Sequence, residues 1–456
     1  MSRNRLSALD AAFLSLESAD APMHVGWAAV FAPRADGSRP DFETVRGHIE
    51  SRLGRAPRYR QRLLEIPLGL DDPVWVDDPD FDLSRHVLQA PHGDFGRLVD
   101  EVMSTPLEHG RPLWELWIAE QLDDGRIGVV GKAHHCLVDG LAAVELMSLL
   151  LDVTPEPELV DPEDWAPEEQ PGGIELVGEA IGHQLGQALD LGLVPVGWAR
   201  NPSRLLDLPG QAWSAARAVV HAAMPLAPPS RINGEMTGQR HLALLSRPLE
   251  DLREIKNHFG TTINDVLLSA SAGGLRDLLD ERDEPPRESE IKAMVPVSVQ
   301  GPDERWGNGI AFLFLPLPTA EADPVWRLRD IHVAMRERKR ENEPEGSDAV
   351  LGALSLAPRG VRRLASRILA SPYLSNLTIS NIPGPRVPLY LLGCEAVRAY
   401  PVVPLTGGHG ISIGMTTVHD EACFGVYAQA ALADDADRIA AGIDAAIDEL
   451  LALARG

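Results

Sequence analysis

Apolar residues recur along the chain with two periods, and the shorter is clearest just ahead of residue 135. Across residues 126–135, Ile127, Val129, Gly131, Ala133 and His135 fall on one side, and Val130, Lys132 and His134 on the other. Alternation of this kind is the mark of a strand. Two adjacent histidines at its end are therefore expected to look in opposite directions. Asp139-Gly140 supplies a tight corner after them, and residues 141–150 read as a helix with Leu141, Val144, Met147 and Leu149 available for burial.

The longer period marks helices elsewhere. Leu6, Leu9, Phe13 and Leu14 form a stripe behind Ser7, a residue suited to cap a helix, and a strand is expected at 27–31. Further helices are expected at 41–53, 95–103, 249–259 and 435–451, with strands at 73–76, 113–117, 241–245, 293–299 and 310–317. Thr261 or Thr262 can cap a helix that starts with Asn264 and Asp265, whose acceptors suit the free amide groups of a first turn. Between the two halves, residues 155–173 are rich in proline and acid, as a solvated connector is. Beyond it Ile174, Val177, Ile181, Leu185 and Leu189 make one apolar helix face, suited to docking on a core or on lipid. A second helical stretch, 211–223, carries Trp213, and residues 225–233 are another proline-rich connector.

A chain of 456 residues is too long for one ordinary core. The expected division is a first unit over 1–155, a connector over 156–235 and a second unit over 236–456. A formal charge of −25 repels nucleic acid and anionic lipid alike, so no nucleic-acid partner is expected and any lipid contact is expected to be apolar. No apolar run reaches the roughly 18 residues of a membrane span, and the first residues lack a secretory pattern, which together point to the cytoplasm. The three cysteines, Cys136, Cys394 and Cys423, are scattered and suit free thiols.

Chemistry centres on the histidine pair. Ligands on opposite faces of a sheet do not converge, and no third ligand sits at zinc-site spacing nearby, so no metal is expected. Cys136 adjoins His135, but sequence neighbours at a strand end rarely bring sulfur within reach of an imidazole nitrogen. Histidine at a strand end is often structural. The spacing His134-His135, three residues, Asp139-Gly140 nevertheless resembles the signature of the CoA-dependent acyltransferase superfamily, which includes chloramphenicol acetyltransferase and peptide-synthetase condensation domains. The opening from Leu6 resembles one branch in particular, the bacterial wax ester synthase/diacylglycerol acyltransferases. Pro112-Leu113-Trp114, Asn264-Asp265-Val266, Gly307-Asn308 and Ser380-Asn381-Ile382-Pro383-Gly384-Pro385 match that family's motifs in the family's order. Cys423-Phe424-Gly425 stands where more distant superfamily members carry Asp-Phe-Gly, so no role for that Asp carries over.

The resemblance implies an α/β fold of two chloramphenicol-acetyltransferase-like subdomains, mixed sheets flanked by helices, meeting at a tunnel that contains His135. It implies acyl transfer from acyl-CoA, a co-substrate and not a resident cofactor, to diacylglycerol or a long-chain fatty alcohol. His135 would be the general base, His134 and Asp139 the other members of the catalytic set, with Asp139 fixing the corner, and Gly140, Asn264 and Asp265 the substrate-binding set. The water-insoluble products imply peripheral contact with the inner membrane or lipid droplets. The arginines at 359, 362, 363 and 367 are candidates for a phosphate-rich ligand. A condensation-type enzyme acting on another acceptor and a catalytically silent lipid-binding protein are the alternatives; the full set of motifs disfavours the second.

Overall fold

The computed structural model describes residues 5–138, 149–158, 160, 164–190, 226–282, 291–298, 310–342, 363–364, 366–368 and 370–456. Asp139, Gly140 and most of the helix expected after them lie outside these residues. So do the 211–223 stretch, Gly307-Asn308, Arg359 and Arg362.

Helices α1 (Ala8–Leu16), α2 (Phe42–Arg52) and α3 (Phe95–Ser104) belong to the first half. The 173–190 segment is α4 (Gly173–Asp190). The second half carries α5 (Leu249–Phe259), α6 (Ile263–Glu281), α7 (Pro324–Asn342) and α8 (Ala433–Arg455). Their ends follow local chemistry. Ser7 and Asp10 form a reciprocal capping box on α1, and Thr262 and Asp265 form one on α6. Gly260 ends α5 at φ 68°, the left-handed conformation that glycine adopts without penalty.

Two six-stranded sheets form the frame. The first runs β11 (Tyr390–Leu391), β12 (Cys394–Val402), β1 (His24–Phe31), β6 (Ile127–His134), β5 (Trp114–Ala119), β4 (Val87–Gln89). The second runs β7 (Arg240–Pro248), β14 (Glu421–Gln429), β13 (Ile411–Val418), β10 (Leu377–Ile382), β8 (Ile291–Ser298), β9 (Ile310–Leu317). β10 lies parallel to both its neighbours while the rest of that sheet is antiparallel. A hairpin of β2 (Gln61–Leu64) and β3 (Val74–Asp77) stands apart. The mixed sheets flanked by helices are those expected.

The sheets do not follow the expected division at residue 236. β12 pairs antiparallel with β1 from Gly26↔Val402 to Phe31↔Ala396, so residues 390–402 complete the first sheet although they come from the second half. Pairing between strands hundreds of residues apart leaves no local trace. The same strand touches the second sheet: a Cβ on Gly425 would lie 2.2 Å from the Pro401 carbonyl oxygen, so only glycine permits that approach.

Strand parity sorts the cores. Ile127, Val129 and Ala133 of β6 join Trp114, Leu116 and Ile118 of β5 in a core on one face of the first sheet. Val130 faces the other way, into a layer with Val99 and Met103 of α3 and Leu242, Tyr400 and Tyr427, which joins the two sheets. The largest core lies between the second sheet and α5 to α8. There Gly274 and Gly442 let α6 and α8 approach until a Cβ at Gly442 would meet the Gly274 Cα at 2.6 Å.

The helix α4 is turned from the expected orientation. Among its described side chains Leu176 and Ala180 are buried, packed on Ile66, Val74 and Val76, whereas Ile174 is 92% exposed and Ile181 50%. The stripe read as one apolar face thus looks partly outward.

Candidate active site

Four successive backbone N–H groups fix the corner at the end of β6. His134 N–H donates to the Leu113 carbonyl at 3.0 Å, His135 N–H to the Met23 carbonyl at 3.0 Å, and Leu137 N–H to the His134 carbonyl at 2.9 Å. The fourth, on Cys136, donates to the His134 ring at Nδ1, also 3.0 Å. Met23 is buried and holds φ at 50°, an unfavourable conformation for a side chain of its size, kept by the packing around it.

The two imidazoles part company as strand parity predicts. His134 is buried on the side of Lys132 and Val130, the face that meets the second sheet, opposite His24 of β1. Its Nε2 lies 3.8 Å from Glu17 Oε2, the residue that ends α1, and Glu17 Oε1 in turn receives His109 Nε2 at 2.7 Å. His135 lies in the turn beyond the strand, half-buried, with its ring stacked on Phe13 of α1 at 3.6 Å between centroids. His134, and not His135, therefore occupies the face between the sheets where the tunnel was expected. Nδ1 of His135 is shut off from water with no hydrogen-bond partner.

Burial sets the electrostatics. Desolvation lowers the pKa of both His134 and His135 to about 4, so both rings are neutral at physiological pH. Desolvation, assisted by the charges of Lys132 and Arg240, pushes His24 lower still, to about 2. The bond to Glu17 raises the pKa of His109. Lys132 is fully buried, its ammonium donating to the carbonyls of Val102 and Thr105 at 2.9 and 2.6 Å and lying 3.1 Å from Glu115. It ties the C-terminal end of α3 to the strand that carries the histidines, where a cation also suits the helix dipole. Burial raises the Cys136 thiol well above its ordinary value, which removes the thiolate a nucleophile needs.

The remaining expected residues sit elsewhere. Asp265 is buried in the second unit, where its carboxylate accepts from the Thr262 N–H at 2.9 Å and faces His332 Nδ1 at 2.8 Å. Its position is explained by the start of α6 and by α7. Asn264 is half-buried in the same first turn. No hydrogen bond or ion pair joins either of them to the corner among the described residues. Arg363 lines a cavity of about 190 Å³ with Glu17, Glu65, Asp72 and His109. Three carboxylates make that cavity a poor place for a phosphate. Among the described residues no three His, Cys, Asp or Glu side chains converge as metal ligands.

Pro112-Leu113-Trp114 is the frame of the corner. The Leu113 carbonyl takes the His134 N–H, while Trp114 is fully buried, donates from Nε1 to the Tyr59 carbonyl at 2.8 Å and stacks on His86 at 4.9 Å. Glu17 and His109 carried no sequence signal, and Phe13 only that of an apolar helix stripe. Each is a single residue far from the histidines in the chain, and Glu17 and His109 are themselves 92 residues apart.

Comparison with known proteins finds relatives along nearly the whole chain. Residues 6–267 match the wax ester synthase/diacylglycerol acyltransferase catalytic domain, and residues 306–451 the WS/DGAT C-terminal domain. A probable diacylglycerol O-acyltransferase of Mycobacterium tuberculosis is 30% identical over 99% of this chain and 96% of its own. The structure of the wax ester synthase/diacylglycerol acyltransferase from Marinobacter aquaeolei VT8 superposes with a TM-score of 0.70 at 26% identity, covering 99% of this chain and 100% of that one. A trichothecene 15-O-acetyltransferase from Fusarium sporotrichioides shares the fold, with a TM-score of 0.58 at 12% identity over 98% of this chain and 94% of its own. The chain belongs to the wax ester synthase/diacylglycerol acyltransferase family and is an acyl-CoA-dependent acyltransferase.

Proposed function

We propose that this chain esterifies diacylglycerol or a long-chain alcohol with the acyl group of acyl-CoA, and that His135 is the general base. One observation carries the assignment within the pair. A base needs a free lone pair, and the Nδ1 lone pair of His134 already accepts the Cys136 N–H. With its proton then on Nε2, neutral His134 has none to offer. No N–H donates to the His135 ring among the described residues, and a desolvated, uncharged imidazole keeps a lone pair for a hydroxyl proton. The hydroxyl oxygen attacks the thioester carbonyl as its proton passes to His135. The tetrahedral intermediate then expels the CoA thiolate, which takes that proton back, leaving the ester and free CoA. Family likeness alone assigns Asp139 and Gly140, outside the described residues, to the catalytic motif and Asn264 with Asp265 to the acceptor side.

Both acceptors are nearly insoluble in water, and we read the protein as peripheral on a lipid surface. Among the described residues no helix is long and apolar enough to cross a membrane. Leu68 is 91% exposed at φ 61°, in a short turn beside the start of α4, where Ile174 is 92% exposed. A large apolar side chain held both outward and in an unfavourable conformation supports contact with something apolar. A charge of −25 points to neutral lipid over anionic lipid.

Purified protein is given palmitoyl-CoA with dioleoylglycerol or hexadecanol while free thiol and neutral lipid are followed. Ester forms, His135→Ala abolishes it in a folded protein, and His134→Ala keeps part of it. A dead, folded His134→Ala beside an active His135→Ala reverses the assignment. Flotation with neutral-lipid emulsions gives equal or stronger binding as salt rises, weakened in Leu68→Ser/Ile174→Ser; release by salt refutes the apolar contact.

A further inference from the structure

Of the four N–H groups that fix the corner, three donate to backbone carbonyls, and only that of Cys136 depends on a side chain. The bond from Cys136 to His134 exists in one tautomer alone, with the ring proton on Nε2 and the lone pair on Nδ1. The Cys136 N–H itself favours that form, and the charge facing Nε2 decides how fully it is populated. Here Nε2 makes no hydrogen bond and lies 3.8 Å from Glu17 Oε2, whose field favours a proton on the nitrogen that faces it. Glu17 is held in turn by His109 at 2.7 Å. The same helix carries Phe13, one turn earlier, against the His135 ring.

We propose that Glu17 is a positioning residue for His135, acting by holding His134 in the Nε2–H tautomer that anchors the Cys136 N–H. The proposal rests on the reading of His135 as the base. Without the carboxylate, His134 takes the Nδ1–H form in part of the molecules, two N–H groups then point at one another, and the corner carrying His135 shifts. Because the effect falls on the placement of the base, the loss is one of turnover.

The test uses the full chain with 15N-labelled histidine, whose ring nitrogen shifts report which nitrogen carries the proton. Wild type shows His134 as the Nε2–H form, and Glu17→Ala shows a mixture. Glu17→Ala lowers kcat by about a hundredfold, the scale of a misplaced reacting group, with KM for palmitoyl-CoA unchanged. Glu17→Gln, which keeps the shape and removes the charge whose field favours the tautomer, shows the same mixture and a similar loss of rate, and keeps the test open should the alanine variant fold poorly. Wild-type kcat in Glu17→Ala, a loss confined to KM, or a lost rate with the tautomer unchanged overturns the proposal. His135→Ala is measured beside them. If it keeps turnover, the base is wrongly assigned and both readings fall; if it is dead while Glu17→Ala is fully active, only the positioning role falls.

Discussion

His241 makes the joint between the two halves sensitive to pH. Its Nδ1 faces Asp100 of α3 at 2.8 Å and its Nε2 faces Asp437 of α8 at 3.2 Å, while the other oxygen of Asp100 accepts the Leu242 N–H at 2.9 Å. One ring thus links a helix of the first half to a strand and a helix of the second. The bond to Asp100, ahead of that to Asp437, raises the pKa from 6.5 to about 9. Because the folded state binds the proton more tightly than the unfolded chain, the contribution is complete below about pH 6.5 and is lost as pH rises through about 9. A shift of that size is worth about 3 kcal/mol if fully felt. With Asp437 63% exposed, solvent screening reduces it to about 1–2 kcal/mol. Urea unfolding of wild type and His241→Gln from pH 6 to pH 10 isolates this residue from every other titration. The stability difference in favour of wild type shrinks by about 1–2 kcal/mol across that range. A difference that stays constant, or grows with pH, refutes the reasoning.

Burial predicts the acid side of the activity profile as well. His135 must be neutral to accept a proton, so kcat/KM holds as pH falls past 6 and drops only near its pKa of about 4, as far as the fold survives; an acid limb near 6.5 rules the desolvated base out. Trp114→Ala removes a fully buried indole, its bond to the Tyr59 carbonyl and its stacking on His86, and lowers stability by about 3–5 kcal/mol in urea unfolding. A loss under 1 kcal/mol would mean the frame beneath the corner does not depend on it.

What the sequence revealed depended on how local each cause was. Periodicity gave α5 and β9 to the residue, and the Ser7 and Thr262 caps were readable because a cap lies within three residues of the amide it serves. Alternation along β6 correctly separated His134 from His135. The tunnel position of His135 came from the resemblance; alternation puts it on the side of Ile127, Val129 and Ala133, away from the inter-sheet face, and its ring stacks on Phe13 of α1. Helix α4 misled for another reason: the contact was made by Leu176 with the small Ala180, and hydrophobicity alone does not favour alanine over isoleucine. The placement of β12 and the Glu17–His109 contact depended on pairings across long stretches of chain, which no window of sequence contains.

The arrangement separates two demands that conflict in any site built on an imidazole base. The ring must be placed firmly, and placing it through its own nitrogens would consume the lone pair that does the chemistry. Here firmness comes from the backbone: His135 is held by its amide on Met23, a residue of the segment entering β1, and β1 lies between β6 and β12 in the middle of the first sheet. Both halves of the chain therefore determine where the corner stands. Among the described residues the ring is stacked on Phe13, a contact that orients an imidazole without occupying either nitrogen. The polar duties fall on its neighbour, whose Nδ1 closes the turn and whose Nε2 faces Glu17. Exchanging the two roles would leave a base with no lone pair and a corner with an unpaired amide. A pair of adjacent histidines on opposite faces thus does what one alone does not.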